Sequence, residues 1–128
     1  MKKLLLILIC FFLVSFENSK NDWTKFYSNN NGDFYLDKKK LKKRENMVYV
    51  WTLSDYLEPI SNNFFSTIEY QTVDCLNKKS KDLKTFHCEK PMGNGKCRDD
   101  SFLNSGNFSD LMSLPHSFNQ SLLEEICL

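Results

Sequence analysis

Four cysteines, Cys75, Cys88, Cys97 and Cys127, follow an apolar leader, and this combination constrains the chain more than any other feature. The leader is residues 4–14, an unbroken run of eleven apolar side chains behind Lys2 and Lys3. A bilayer takes about 20 apolar residues, so the run is too short to span one; its basic-then-apolar order is that of a secretory signal. Residues 1–19 are therefore expected to be a cleaved signal peptide, cut after Ser15 or near Ser19. It would export the rest to the periplasm, the cell surface or the medium. Cys10 does not read as a lipid-anchor site, because Ile7, Leu8 and Ile9 stand where that processing wants a small residue. No transmembrane segment is expected.

Export decides what the later cysteines do. In an oxidising compartment, four cysteines in a small domain form two bridges, with three pairings open. Cys88 and Cys97 bracket Pro91, Gly93, Asn94 and Gly95, a dense turn signal that would set them face to face across a hairpin. Cys75 would then join Cys127, although spacing alone leaves the other pairings open. The rival is a zinc site from His87, Cys88, Cys97 and His116, but zinc favours short paired spacings that Cys88 and Cys97 do not have. A solvent-exposed His87 beside a disulfide is the plainer expectation, and no metal or other cofactor is expected.

A chain of 128 residues holds one core. It contains no alanine, the strongest helix former, which argues against a helical bundle. Without residues 1–19 it carries fifteen basic and fifteen acidic side chains, so no global field draws it to nucleic acid.

From Asp22 onward, strands alternate with turns. Residues 23–28 and 33–37 are aromatic and β-favouring, joined by Asn29, Asn30, Asn31 and Gly32. Residues 47–53 are the clearest strand, with Met47, Tyr49, Trp51 and Leu53 on one face. Pro59, Asn62 and Asn63 predict a loop before the long segment 64–75. There the apolar parity slips between Ile68 and Tyr70 and the pair Val73 and Cys75, so a bulge is expected near Gln71 or Thr72. Residues 83–89 and 96–102 would be the arms of the cysteine hairpin. Ser117 with Gln120 is a capping-box pattern, and Phe118, Leu122 and Ile126 recur every four residues, predicting a short terminal helix docked on the sheet.

Lys38, Lys39, Lys40, Lys42, Lys43 and Arg44 put six positive charges into residues 38–44. Such a run repels itself and stays solvated, either as a solubilising loop or as a contact for an anionic surface. Its Leu41 offers little apolar anchor, and nucleic-acid binding lacks a matching aromatic platform. No catalytic residues are expected. His87 and His116 lie in no recognisable triad, a Cys88–Cys97 bridge would consume the thiolate, and Asp99 and Asp100 beside Arg98 read as a solvated edge.

The ordered features from Trp23 onward carry a resemblance. Phe34, Tyr35, Leu36 and Asp37 close an aromatic strand; Val48, Tyr49, Val50 and Trp51 lead to Asp55 and Tyr56; Val73, Asp74 and Cys75 close another. Met92 to Gly95 form a turn, and Pro115, His116 and Ser117 lead a final helix with a terminal cysteine. This set, over residues 22–128, resembles the surface-adhesin protein E family of small exported bacterial proteins. The resemblance implies an α+β fold: an antiparallel sheet of about six strands, a C-terminal helix packed on one face, and a disulfide from Cys75 to Cys127. It also implies an outer-surface position and binding of host matrix proteins, although most relatives have no established activity. Lys78, Lys79 and Lys81 stand where the family commonly has an arginine, Leu111 and Met112 where a second tryptophan is common, and Cys88 and Cys97 look like an addition.

The expected function is thus a non-enzymatic, exported, adhesin-like binding module. Its partner would be a protein or an anionic glycan or envelope surface, met by a sheet face, a strand edge or the 38–44 run. The alternative is a periplasmic structural or assembly component with no host-adhesion role, self-associating as a homodimer through a sheet edge.

Overall fold

The computed structural model describes residues 22–111 and 118–128. The strands, in chain order, are β1 (Trp23–Asn29), β2 (Gly32–Asp37), β3 (Lys42–Arg44), β4 (Met47–Ile60), β5 (Phe64–Asp74), β6 (Lys79–Cys88), β7 (Cys97–Asp99) and β8 (Ser109–Asp110). One α-helix, α1 (Phe118–Ile126), closes the chain. The expected α+β architecture, an antiparallel sheet with a C-terminal helix and two disulfides, is the one observed.

The sheet runs β1-β2-β4-β5-β6-β7. One side of β4 is shared end to end: β2 pairs with its middle, Gly32 to Leu36 against Tyr56 to Thr52, and β3 pairs Lys42 with Tyr49 and Arg44 with Met47. The far side of β6 is likewise divided between β7 and β8. Every strand pair is antiparallel.

Several elements differ from the sequence reading. β4 runs on through Pro59 to Ile60, because its ladder with β5 is interrupted between Asp55 and Ile60 and a proline there forfeits no ladder bond. β5 does not bulge. Its register with β4 is unbroken from Asp74 to Ser66, so Ile68 and Tyr70 face one side of the sheet and Val73 the other. The irregularity does fall at Tyr70 and Gln71, but the extra residue is Leu83 on β6, between partners Asp82 and Lys84. β6 begins earlier than expected, at Lys79, and β7 is short, giving way to a 3-10 turn over Ser101–Leu103.

Paired residues share a face, so the register divides the sheet in two. On one face Leu36, Val48, Val50 and Val73 are buried against Leu122, Leu123 and Ile126 of α1 and against Leu111. The Phe118 ring meets Phe26 at 5.5 Å and Phe34 at 5.1 Å between centroids. Leu122 and Ile126 are fully buried, and each such side chain contributes roughly 1.5–3 kcal/mol. The apolar face of α1 expected at Phe118, Leu122 and Ile126 is the face that docks; the capping residue Ser117 lies outside the described residues. The Cys75–Cys127 disulfide joins the end of β5 to the end of this helix.

Candidate binding face

The opposite face carries the odd-numbered residues of β4. Leu53 is buried there, whereas Tyr49 and Trp51 are half-buried. Trp51 stacks on Tyr70 at 4.7 Å and lies 6.5 Å from Phe86, and Tyr49 stands 6.4 Å from Tyr70. These rings line up because β4, β5 and β6 place them in adjacent rows. One row is Lys42, Tyr49, Thr72 and Lys81; the next is Trp51, Tyr70 and Lys84. An open cleft of about 470 Å³ is lined by Lys42, Lys43, Arg44, Tyr49 and Tyr70.

One end of this face is covered by the turn Pro91–Gly93. The Met92 N–H donates to Asp55 Oδ1 at 2.9 Å, and the Gly93 N–H to Ser66 Oγ at 2.9 Å. Glycine is required at 93: its φ is +71°, and a Cβ would lie 2.7 Å from Ile68 Cδ1. The Cys88–Cys97 disulfide closes the hairpin that presents the turn.

The 38–44 run is exposed at all six of its charges, but it is not one loop. Asp37 Oδ1 accepts the backbone N–H groups of Lys39 and Lys40 and turns the chain at the end of β2. Lys38 Nζ pairs with Glu125 Oε1 of α1 at 2.8 Å, Lys39 Nζ with Asp22 Oδ2 at 3.1 Å, and Lys43 Nζ donates to the Leu128 carbonyl at 3.3 Å. Lys42 and Arg44, paired with Tyr49 and Met47, share the aromatic face. Leu41 packs against the buried core and so holds the run to the fold. One expectation is corrected: an aromatic platform does stand beside the lysines, supplied by Tyr49 and Tyr70. Tyr70 comes from a distant strand, and only the β4–β5 register brings it there.

His87 and Asp100 also differ from expectation. His87 is only 23% exposed, and Asp100, far from lying on a solvated edge, is buried. Arg98 Nε donates to both Asp100 oxygens at 2.9 and 3.0 Å, and His87 Nε2 lies 3.5 Å from Asp100 Oδ2. His87 Nδ1 is 3.0 Å from Thr67 Oγ1, which accepts the Tyr56 hydroxyl at 2.9 Å. This chain of contacts ties β7 to the sheet interior. The Thr67 hydroxyl is engaged on both sides and only 2% exposed, so the array does not present a nucleophile to substrate. On the helix side of the sheet, in the row of Thr52 and Thr85, burial and then Asp82 push the Glu69 carboxyl up to about 7, while its bond from Gln71 pulls the other way.

Cys88 and Cys97 are bonded to each other, and His116 lies outside the described residues, so the zinc ligand set does not assemble among those described. No helix among the described residues is long and apolar enough to cross a membrane.

A family model described as surface-adhesin protein E matches residues 23–128. No curated protein matches the chain. Among solved structures, Haemophilus influenzae protein E in crystal form II is similar, with a TM-score of 0.60 at 15% identity over 86% of this chain and 90% of that one. Protein E from non-typeable Haemophilus influenzae gives a TM-score of 0.60 at 13% identity, over 87% of this chain and 78% of that one.

Proposed function

We propose, from the premise that this chain belongs to the surface-adhesin protein E family, that it is a non-enzymatic exported module that binds macromolecules outside the cell or on its envelope. Residues 1–19 act as its cleaved signal, and residues 22–128 are the binding domain. Two disulfides suit an oxidising compartment. The observation that carries the reading is the exposed 38–44 run, part of which borders a half-buried aromatic face that α1 leaves uncovered. Lys38, Lys39, Lys40, Lys42, Lys43 and Arg44 are its contact residues, meeting a protein or an anionic surface.

Surface labelling of intact cells, combined with binding of the purified mature domain to matrix-coated wells, tests this. Labelling is expected, together with roughly a tenfold loss of binding when all six cations become glutamine, since each tenfold is about 1.4 kcal/mol. A wholly periplasmic protein whose binding ignores those changes would refute the adhesin role.

The alternative, a periplasmic assembly component that dimerises through a sheet edge, draws support from Phe102, Leu103 and Phe108. These apolar side chains are exposed near β7 and β8, with Phe102 at 79%. A concentration-independent monomer by sedimentation would remove it.

A further inference from the structure

The helix-free face combines three properties that no single stretch of sequence holds. Its floor is a chain of half-buried rings, Tyr49, Tyr70, Trp51 and Phe86, each centroid within 6.5 Å of the next. Its flanks are cationic on both sides: Lys42 and Arg44 on β3, Lys81 and Lys84 on β6. Its far end is stopped by the Pro91–Gly93 turn over Leu53 and Ile68. Three strand gaps separate β3 from β6, roughly 14 Å at about 4.8 Å each.

Resting on the binding-module reading above, we propose that this face binds a sulfated glycan, with sugar rings on the tyrosines and sulfates against the flanking cations. The negative π face of an aromatic ring attracts the polarised C–H bonds of a pyranose, and half-buried rings lose little freedom when they are covered. A flat protein epitope would not need cations on both edges of an aromatic strip. A carboxylated sugar carries one charge on one edge of its ring. Sulfate esters decorate both edges, and that matches two basic flanks across a ring-wide floor. Two carboxylates share this face: Asp74, which accepts the N–H groups of Leu76 and Asn77 and the Asn77 amide, and Asp99, paired with Phe86 beside Lys84, so the β3 flank is the less opposed of the two. The cations at positions 38 and 39 pair elsewhere, with Glu125 and Asp22, so they contribute less than Lys42 and Arg44.

Calorimetric titration of the mature domain with a heparin-derived octasaccharide tests the assignment. Parallel titrations use its desulfated form and a single-stranded oligonucleotide of equal charge. The expected result is saturable binding, lost at least tenfold on desulfation and weakened about tenfold by Lys42→Gln with Arg44→Gln. Both of these side chains are exposed, so the double variant retains the fold. Tyr70→Leu is expected to weaken the octasaccharide by threefold or more, with thermal unfolding confirming a folded variant. The proposal is overturned by binding that survives desulfation, by equal or tighter oligonucleotide binding, or by loss through Lys38→Gln and Lys39→Gln while the Lys42 and Arg44 pair is silent. Undiminished capture of the domain by cell surfaces stripped of sulfated chains would also overturn it, yet leave the binding-module reading standing.

Discussion

The two faces of this sheet are built from the same strands by alternation, yet they are finished differently. The helix face has an aliphatic centre, with Leu36, Val48, Val50 and Val73 sealed beneath Leu122 and Ile126, the rings of Phe26, Phe34 and Phe118 packed at its side, and a disulfide holding the cover in place. The open face is aromatic and rimmed by lysine and arginine, and it is only capped at one end by a hairpin turn. Aliphatic side chains have no polar edge and gain most when water is excluded entirely. Tyrosine and tryptophan, with an apolar body and a polar tip, tolerate half-burial and suit a surface that meets something else. The contrast teaches that stability and contact have been assigned to opposite sides of one ladder.

That division is breakable by experiment, and the largest effect should come from the helix face. Replacing Cys75 and Cys127 together by serine removes a crosslink spanning 52 residues, worth about 4 kcal/mol in the chain-entropy model. The Cys88–Cys97 bond spans only 9 residues and should cost about 2.5 kcal/mol when removed in the same way. Urea unfolding midpoints give both values, and a reversal of their order would contradict the idea that α1 is the main fastening.

A smaller effect, with a definite sign, comes from Glu69. Its folded-state value of about 7 lies above the ordinary 4.5, so the folded protein holds this proton more tightly than the unfolded chain does. Its contribution is complete below about pH 4.5 and is lost as pH rises through 7, costing about 3 kcal/mol. Glu69→Gln should therefore flatten stability between those pH values and raise it at pH 8. A residual slope of the same sign is expected from Asp82, whose carboxyl is also pushed up by burial. A variant as pH-dependent as the parent would sink this account.

The smallest effect belongs to the open face. Lys42→Gln with Arg44→Gln should change unfolding free energy by less than about 0.5 kcal/mol, as for other exposed sites. A loss of 2 kcal/mol would mean that β3 is part of the fold's support and not only of its contact surface.

Much of the helix face was legible from the chain alone. Phe118, Leu122 and Ile126 recur at a helical period, and a helix of about ten residues has to dock to persist. The face of β4 that would receive it was not legible. Val48 and Val50 alternate with Met47, Tyr49, Trp51 and Leu53, and either set could have been the inner one. Docking followed the aliphatic set, joined by Phe26 and Phe34 from strands whose register lies beyond local pattern. For the same reason the parity change in β5 looked like a bulge, when Ile68 and Val73 simply serve different faces. Of the candidate site, the basic run was plain as charge, but its neighbours Tyr49 and Tyr70 meet it only through pairing across three strands. The burial of Asp100 was equally invisible, because His87 reaches it only once β6 and β7 are paired.

The bend after β2 has one more consequence. Its conformation is held by Asp37 through the main-chain N–H groups of residues 39 and 40, and by Leu41 seated against the core. Neither fastening uses the side chain at position 38, 39 or 40. The main-chain frame is therefore held independently of the ion pairs that Lys38 and Lys39 make with Glu125 and Asp22, so exchanging those two side chains forfeits the pairs and leaves the bend in place.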